Sequence, residues 1–216
     1  VFINLGKTEA ILPVSEQIPS ESYAVGDRIK CYIVEVKKTT KGPQIMISRT
    51  HPGLLKRLFE LEVPEIAEGT VELKSVAREP GMRSKIAVVS REEEVDAVGA
   101  CVGPKGQRVQ NIVDELNGEK IDIVKWDEDP AVYIANALSP AKVVSVVARD
   151  EEKTSSVVVP DYQLSLAIGK AGQNARLAAK LTNWKIDIKS ETQAAEAGEY
   201  VESDDMISLD AFGDED

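Results

Sequence analysis

Val102-Gly103-Pro104-Lys105-Gly106-Gln107 and Ile168-Gly169-Lys170-Ala171-Gly172-Gln173 are two copies of one arrangement, a Gly-x-x-Gly loop set between an apolar residue and a glutamine. Each copy follows a short apolar run and precedes a helix-like stretch. Each then leads to a strand that spells Lys-Ile-Asp-Ile, Lys120 to Ile123 in one case and Lys185 to Ile188 in the other. A single Gly-x-x-Gly carries little weight, because glycine pairs are common in turns. Two in the same frame indicate a duplicated module.

The loop chemistry suits a charged backbone. Glycine has no Cβ, so the turn lets a sugar-phosphate chain come close to the peptide N–H groups. The following helix points its N-terminus, with unpaired N–H groups and the positive dipole end, at the same place. Lys105 and Lys170 each add a full charge inside their loop. Together these features resemble the clamp of the K homology (KH) module, whose GXXG loop holds about four nucleotides of single-stranded nucleic acid. Tight helix–helix turns with incidental lysines are the alternative for either copy alone, and the matched context favours the clamp.

The flanks extend the match. His51-Pro52-Gly53 opens a helix whose apolar face is Leu54, Leu55, Leu58 and Leu61. Strands Thr70 to Ala77 and Lys85 to Ser90 follow, then a short helix around Val95 to Cys101. Beyond the loop, Val109, Ile112, Val113 and Leu116 recur at helical spacing, and the strand Lys120 to Trp126 closes the unit. The second unit repeats the order. It has a helix from about Pro130 to Leu138, then a hairpin of Lys142 to Arg149 and Thr154 to Val159. Asp161 is expected to cap the helix leading to Ile168. A helix over Gln173 to Leu181 and the strand Lys185 to Lys189 complete it. Helix–strand–strand–helix–clamp–helix–strand is the order of the prokaryotic, type II KH fold.

Residues 1 to about 50 read as β: Val1 to Leu5, Glu9 to Pro13, Arg28 to Lys37 and Ile45 to Arg49 alternate between glycine turns. Leu5-Gly6-x-x-Glu9-Ala10-x-Leu12-Pro13, Val25-Gly26-Asp27 and Ile45-x-Ile47-Ser48-Arg49 resemble the later strands of the S-one-type OB domain. The expected fold is α+β and multidomain. A partial OB-type β-barrel lacking its first strands occupies 1–50. Two tandem type II KH domains occupy 51–126 and 127–190, and an acidic disordered tail covers 191–216. Tyr200, Met206, Ile207, Leu209 and Phe212 in that tail suggest a short partner-binding segment, against the plainer reading of a solubilising tail.

Charge and composition narrow the function. The net charge of −11 is the wrong sign for a nucleic-acid binder, yet ten acidic and no basic residues lie from Glu191 onward. The body before it carries 26 basic and 27 acidic groups, so it is nearly neutral. Phosphate contact depends on where the lysines and arginines sit, while the near-neutral body argues against strong non-specific duplex binding. No run approaches the roughly 18 apolar residues of a membrane span, and no signal-peptide pattern opens the chain. Two cysteines, Cys31 and Cys101, and one histidine suggest a reducing cytoplasm and match no metal spacing. The opening at Val1, inside an apolar run, suggests a piece of a longer protein.

Barrel, KH, KH in this order resembles the NusA family of bacterial transcription elongation and termination factors, over residues 1 to about 190. The resemblance implies no catalysis and no cofactor or metal. It implies a monomer that receives nascent single-stranded RNA, contacts RNA polymerase through the full-length protein, meets other transcription factors, and modulates pausing, termination and antitermination. It puts phosphate contact on Gly103, Pro104, Lys105 and Gly106 and on Gly169, Lys170, Ala171 and Gly172. Gln107, Arg108, Gln173, Asn174 and Arg176 begin the following helices and are within reach of phosphates or base edges. Val102, Ile123, Ile168 and Ile188 are the candidate floor of the base groove, with plain core packing as the competing role. Phe2 falls where the OB family offers a stacking aromatic, whereas that family's histidine is replaced around Leu12-Pro13.

Two other classes compete. A phosphorolytic exoribonuclease family also joins KH and OB-type domains, but with one KH domain placed before the barrel. A KH scaffold that binds only protein is the other. His51 reads as a helix-start or surface residue, Trp126 and Trp184 as packing residues, and Glu92-Glu93-Glu94 and Asp150-Glu151-Glu152 as solvated turns.

Overall fold

The alternating residues at the start of the chain form a sheet, as their spacing predicts. In the computed structural model, which describes residues 1–199 and 207–208, this sheet holds β1 (Phe2–Asn4), β2 (Glu9–Ile11), β3 (Tyr32–Thr39) and β4 (Gly42–Ser48). Their order is β1-β2-β4-β3. Ala10, Leu12 and Ile47 form its small core. The sheet is open, with no closed barrel among the described residues, and Ile33, Val34 and Val36 of β3 are about half exposed.

The first KH domain begins with α1 (Pro52–Glu62), where His51 Nδ1 accepts the Gly53 N–H at 2.9 Å and Pro52 takes a position that needs no donor. This helix buries Leu54, Leu55, Leu58 and Phe59. Leu61, expected on the same face, is 75% exposed, since the helix ends at Glu62 and the fully buried Val63 fills the core there. A single turn, α2 (Pro64–Ala67), carries no periodic signal of its own. Then come β5 (Val71–Glu79), β6 (Arg83–Ser90), α3 (Ala97–Val102), α4 (Gln107–Glu115) and β7 (Lys120–Lys125). β6 pairs with β5 antiparallel and with β7 parallel.

The second domain repeats this with α5 (Pro130–Ala137), β8 (Ser145–Arg149), β9 (Thr154–Val159), α6 (Leu164–Ile168), α7 (Gln173–Thr182) and β10 (Lys185–Ser190). β9 pairs with β8 antiparallel and with β10 parallel, the same topology. Two expectations are corrected. Asp161 does not cap the helix after it. Its carboxylate accepts from the Thr192 N–H and hydroxyl, and Pro160 stands at the cap position of the 3-10 turn Asp161–Gln163. Nor does order end at Lys189 or Ser190. Ser190 and Gln193 form a capping box that starts α8 (Glu191–Glu196), so the stretch expected to open a disordered tail is helical. β11 (Ile207–Ser208) pairs antiparallel with β8. Tyr200, Met206, Leu209 and Phe212 lie outside the described residues.

The two KH domains share one core. Ala77, Ala87 and Val124 on the first domain's sheet pack in the same cluster as Ile134, Leu138, Leu177 and Leu181 of the second. Polar contacts reinforce the joint. The Ser75 hydroxyl donates to the Leu181 carbonyl at 2.8 Å, and buried Lys85 donates to the Ser139 carbonyl at 2.7 Å. No helix among the described residues is long and apolar enough to cross a membrane.

Candidate nucleic-acid interface

The two loops share their backbone torsions. α3 ends at Val102 and Gly103 turns the chain at φ 75°, ψ 171°; α6 ends at Ile168 and Gly169 does so at φ 79°, ψ 169°. A 3-10 turn follows in each, and its middle residue is left-handed: Lys105 and Ala171 both have φ 54°, ψ 27°. Gly106 and Gly172, also left-handed, then open α4 and α7. The first glycine of each loop is required twice over. Its torsions fall in a region almost restricted to glycine. A Cβ on Gly103 would also lie 2.5 Å from Arg108 Cγ, and one on Gly169 would lie 2.8 Å from the Asn174 backbone nitrogen.

Neither α4 nor α7 has a side-chain cap, although His51, Asp129 and Ser190 cap α1, α5 and α8 of the same chain. The Gln107 and Gln173 N–H groups close the 3-10 turns. The next N–H groups face the loop without the oxygen acceptor a cap supplies. A phosphate there would accept from them and meet the positive end of each helix dipole.

Around the loops, the structure separates exposed groups from committed ones. Pro104, Lys105, Lys170 and Ala171 are exposed, while Gly103, Gly106, Gly169 and Gly172 form the half-buried frame. Gln107 is exposed and donates to Asn111 at 2.7 Å, and Gln173 is half-buried. Arg108 is tied down, with Nη1 donating to Glu65 Oε2 at 2.9 Å and to the Ala100 carbonyl at 2.7 Å. Asn174 is a correction. It is 2% exposed, and its amide donates to the Leu138 and Ala167 carbonyls, so it fastens α7 to the core and cannot reach a base. Arg176 reaches back under its loop: Nη1 donates to the Ala171 carbonyl at 3.0 Å and Nε to Glu79 Oε1 of the first domain at 2.7 Å. The sequence gives Glu79 no signal of this role, since it stands between two predicted strands.

The apolar floor candidates are open to a ligand's edge. Val102, Ile123 and Ile188 are half-buried and Ile168 is 37% exposed. Ile123 and Ile188 also pack against their own cores, so both roles weighed for them coexist. Ile123 lines a groove of about 330 Å³ that crosses the junction between the KH domains, with Lys125, Asn136 and Ser139 supplying polar groups. Lys125 and Asn136 had no sequence signal beyond the end of a strand and the last turn of a helix. Phe2 on β1 is 72% exposed, in the N-terminal sheet and away from both loops in the chain. Trp184 is buried in the shared core, and Trp126 packs on Tyr133 beneath the Lys74 ammonium.

Family models match these domains in order: an S1 RNA binding domain over residues 1–48, a NusA-like first KH domain over 49–126 and a NusA-like second KH domain over 130–196. A curated protein of Halalkalibacterium halodurans, "Transcription termination/antitermination protein NusA", is 70% identical over 213 residues, 97% of this chain and 56% of that protein. Proteins of the same name from Bacillus subtilis and Thermus thermophilus are 69% and 55% identical, covering 95% and 86% of this chain and 56% and 48% of those proteins. The chain belongs to the NusA family. It spans about half the length of the curated relatives it matches.

The joint between the S1 domain and the first NusA-like KH domain is electrostatic. Arg49, fully buried, donates to Glu21 Oε1 at 3.0 Å, to the Lys30 carbonyl at 2.8 Å and to the Glu115 carbonyl at 3.0 Å. Burial pushes the Glu21 carboxyl up, but the Arg49 guanidinium, with hydrogen bonds from Asn117 and Tyr23, outweighs it and holds the group below the usual range. α4 thus has the first loop at its N-terminus and a buried cation at the carbonyls of its C-terminus, the favourable polarity for a helix dipole. The NusA-like second KH match runs through α8, in keeping with the helix found there.

Proposed function

We propose that this chain is the RNA-reading part of a bacterial transcription factor. It binds nascent single-stranded RNA at RNA polymerase in the cytoplasm and so modulates pausing, termination and antitermination. It acts as a monomer, and the longer protein supplies the contact with polymerase. The observation that carries this reading is the pair of uncapped helix N-termini behind matched glycine loops. The shared core joining the two domains and the names of the relatives support it. Phosphates lie against Gly103 to Gly106 and Gly169 to Gly172, and bases turn toward Ile123 and Ile188. No bond is made or broken in this role.

The first glycines are poor test sites, because replacing them strains the fold. The exposed lysines are better. Lys105→Gln and Lys170→Gln each lower affinity for a 16-nucleotide single-stranded RNA, and each flattens the dependence of log K on log salt by about 0.7. Unchanged affinity and slope in the double variant would refute the clamp reading.

A further inference from the structure

The two KH domains differ at matched positions of the helix that enters each loop. Aligned on Gly103 and Gly169, Asp96 and Ala100 of the first domain correspond to Tyr162 and Leu166 of the second. Tyr162 is 78% exposed and Leu166 43% exposed. Four residues apart, they share one face of the run formed by the 3-10 turn Asp161–Gln163 and α6. That run ends at Ile168, the exposed floor candidate, and passes directly into Gly169. At 1.5 Å per residue, Tyr162 lies about 10 Å along the helix from the loop.

The surroundings select the occupant. The Lys142 N–H donates to Gln163 Oε1 at 3.0 Å, which sets the exposed Lys142 beside the start of this run, and Lys170 stands at its end. The Asp161 carboxylate is turned to Thr192. At the same place in the first domain, Glu92, Glu93, Glu94 and Asp96 are all exposed, a surface that repels phosphate. An exposed aromatic backed by an aliphatic side chain, flanked by lysines and continuous with a phosphate loop, has the makeup of a stacking platform for single-stranded nucleic acid.

We propose that Tyr162, supported by Leu166, stacks a nucleobase of the RNA that lies beyond the second loop. The RNA path then continues over α6 in the second domain, while the acidic entry to α3 ends it in the first. This rests on the reading of the loops as RNA clamps.

The test uses the whole chain with non-pairing oligoribonucleotides of about 4 and about 16 nucleotides, the shorter just filling one loop and the longer carrying 2-aminopurine at successive positions. Tyr162→Ala weakens the 16-mer by about fivefold or more, leaves the 4-mer unchanged and abolishes 2-aminopurine quenching at one position. The salt slope stays the same, because no cation is removed. Tyr162→Phe and Tyr162→Trp retain both affinity and quenching. Equal loss for both lengths, or a Tyr162→Phe as weak as Tyr162→Ala, overturns the platform. If Lys170→Gln weakens RNA binding and Tyr162→Ala does not, the platform alone is wrong and the α6 face belongs to a protein partner. If neither variant matters, the clamp reading fails with it.

Discussion

Gly103 and Gly169 occupy matching torsions but face different neighbours, and this separates their costs. A Cβ on Gly169 would meet the Asn174 main chain, which cannot yield, whereas one on Gly103 would meet side-chain carbons of Arg108, Cβ among them, whose shift costs the bonds to Glu65 and the Ala100 carbonyl. Gly106 and Gly172 have no such crowding, only a left-handed φ. Gly169→Ala is therefore expected to destabilise more than Gly103→Ala, by up to about 3 kcal/mol. Gly106→Ala comes last, at about 1 kcal/mol. Urea midpoints of the three variants check the order, and a Gly106→Ala as damaging as Gly169→Ala would contradict it. At this scale the sequence was readable where chemistry and spacing agree. The loops, their lysines and the His51 cap all show in it. Asn174 was not readable, because an amide beside a glycine loop looks the same whether it faces solvent or, as here, two buried carbonyls.

Helices and strands were legible where an apolar period ran unbroken. They were illegible where an element ends on a tertiary contact, as at Leu61 and Val63, or where a polar box starts one, as at α8. The ion pairs that join elements gave no sequence signal, since Glu21, Arg49 and Glu115 meet only in space. Their effect is measurable through pH. Burial pushes the Asp122 carboxyl up, but Arg83 and Lys85 more than reverse it and hold it low, as Arg49 does for Glu21. A depressed carboxyl contributes stability that is fully present above its unfolded pKa of about 4, and that stability is lost as pH falls through the lower folded value. Glu21→Gln and Asp122→Asn should each start less stable near neutral pH. Each should then lose less between about pH 5 and pH 2 than the parent chain does. Urea midpoints across that range test this, and curves parallel to the parent's would show that these pairs do not titrate as described.

For the whole molecule, the sequence disclosed three domains in order but not their union. Ala77, Ala87, Ser75 and Tyr133 each look like ordinary strand or helix residues, yet they meet across the KH–KH boundary. A shared core predicts shared unfolding. Leu177→Ala on α7, at a fully buried position, is expected to cost about 2–5 kcal/mol. It should lower hydrogen-exchange protection in β6 of the first domain as much as in β9 of the second. If β6 amides keep their protection while β9 amides lose theirs, the domains unfold independently.

The shared core also gives the chain a ruler. Two clamps joined by a floppy tether would accept RNA elements at any separation, at an entropic cost that grows only slowly with length. The two glycine loops, seated on one packed interior, stand at a single separation and a single relative orientation. An RNA that fills both must present its segments at that spacing, and one with a longer gap must bulge its surplus nucleotides away from the surface. Selection by this chain would then depend on the distance between RNA segments as well as on the bases within them.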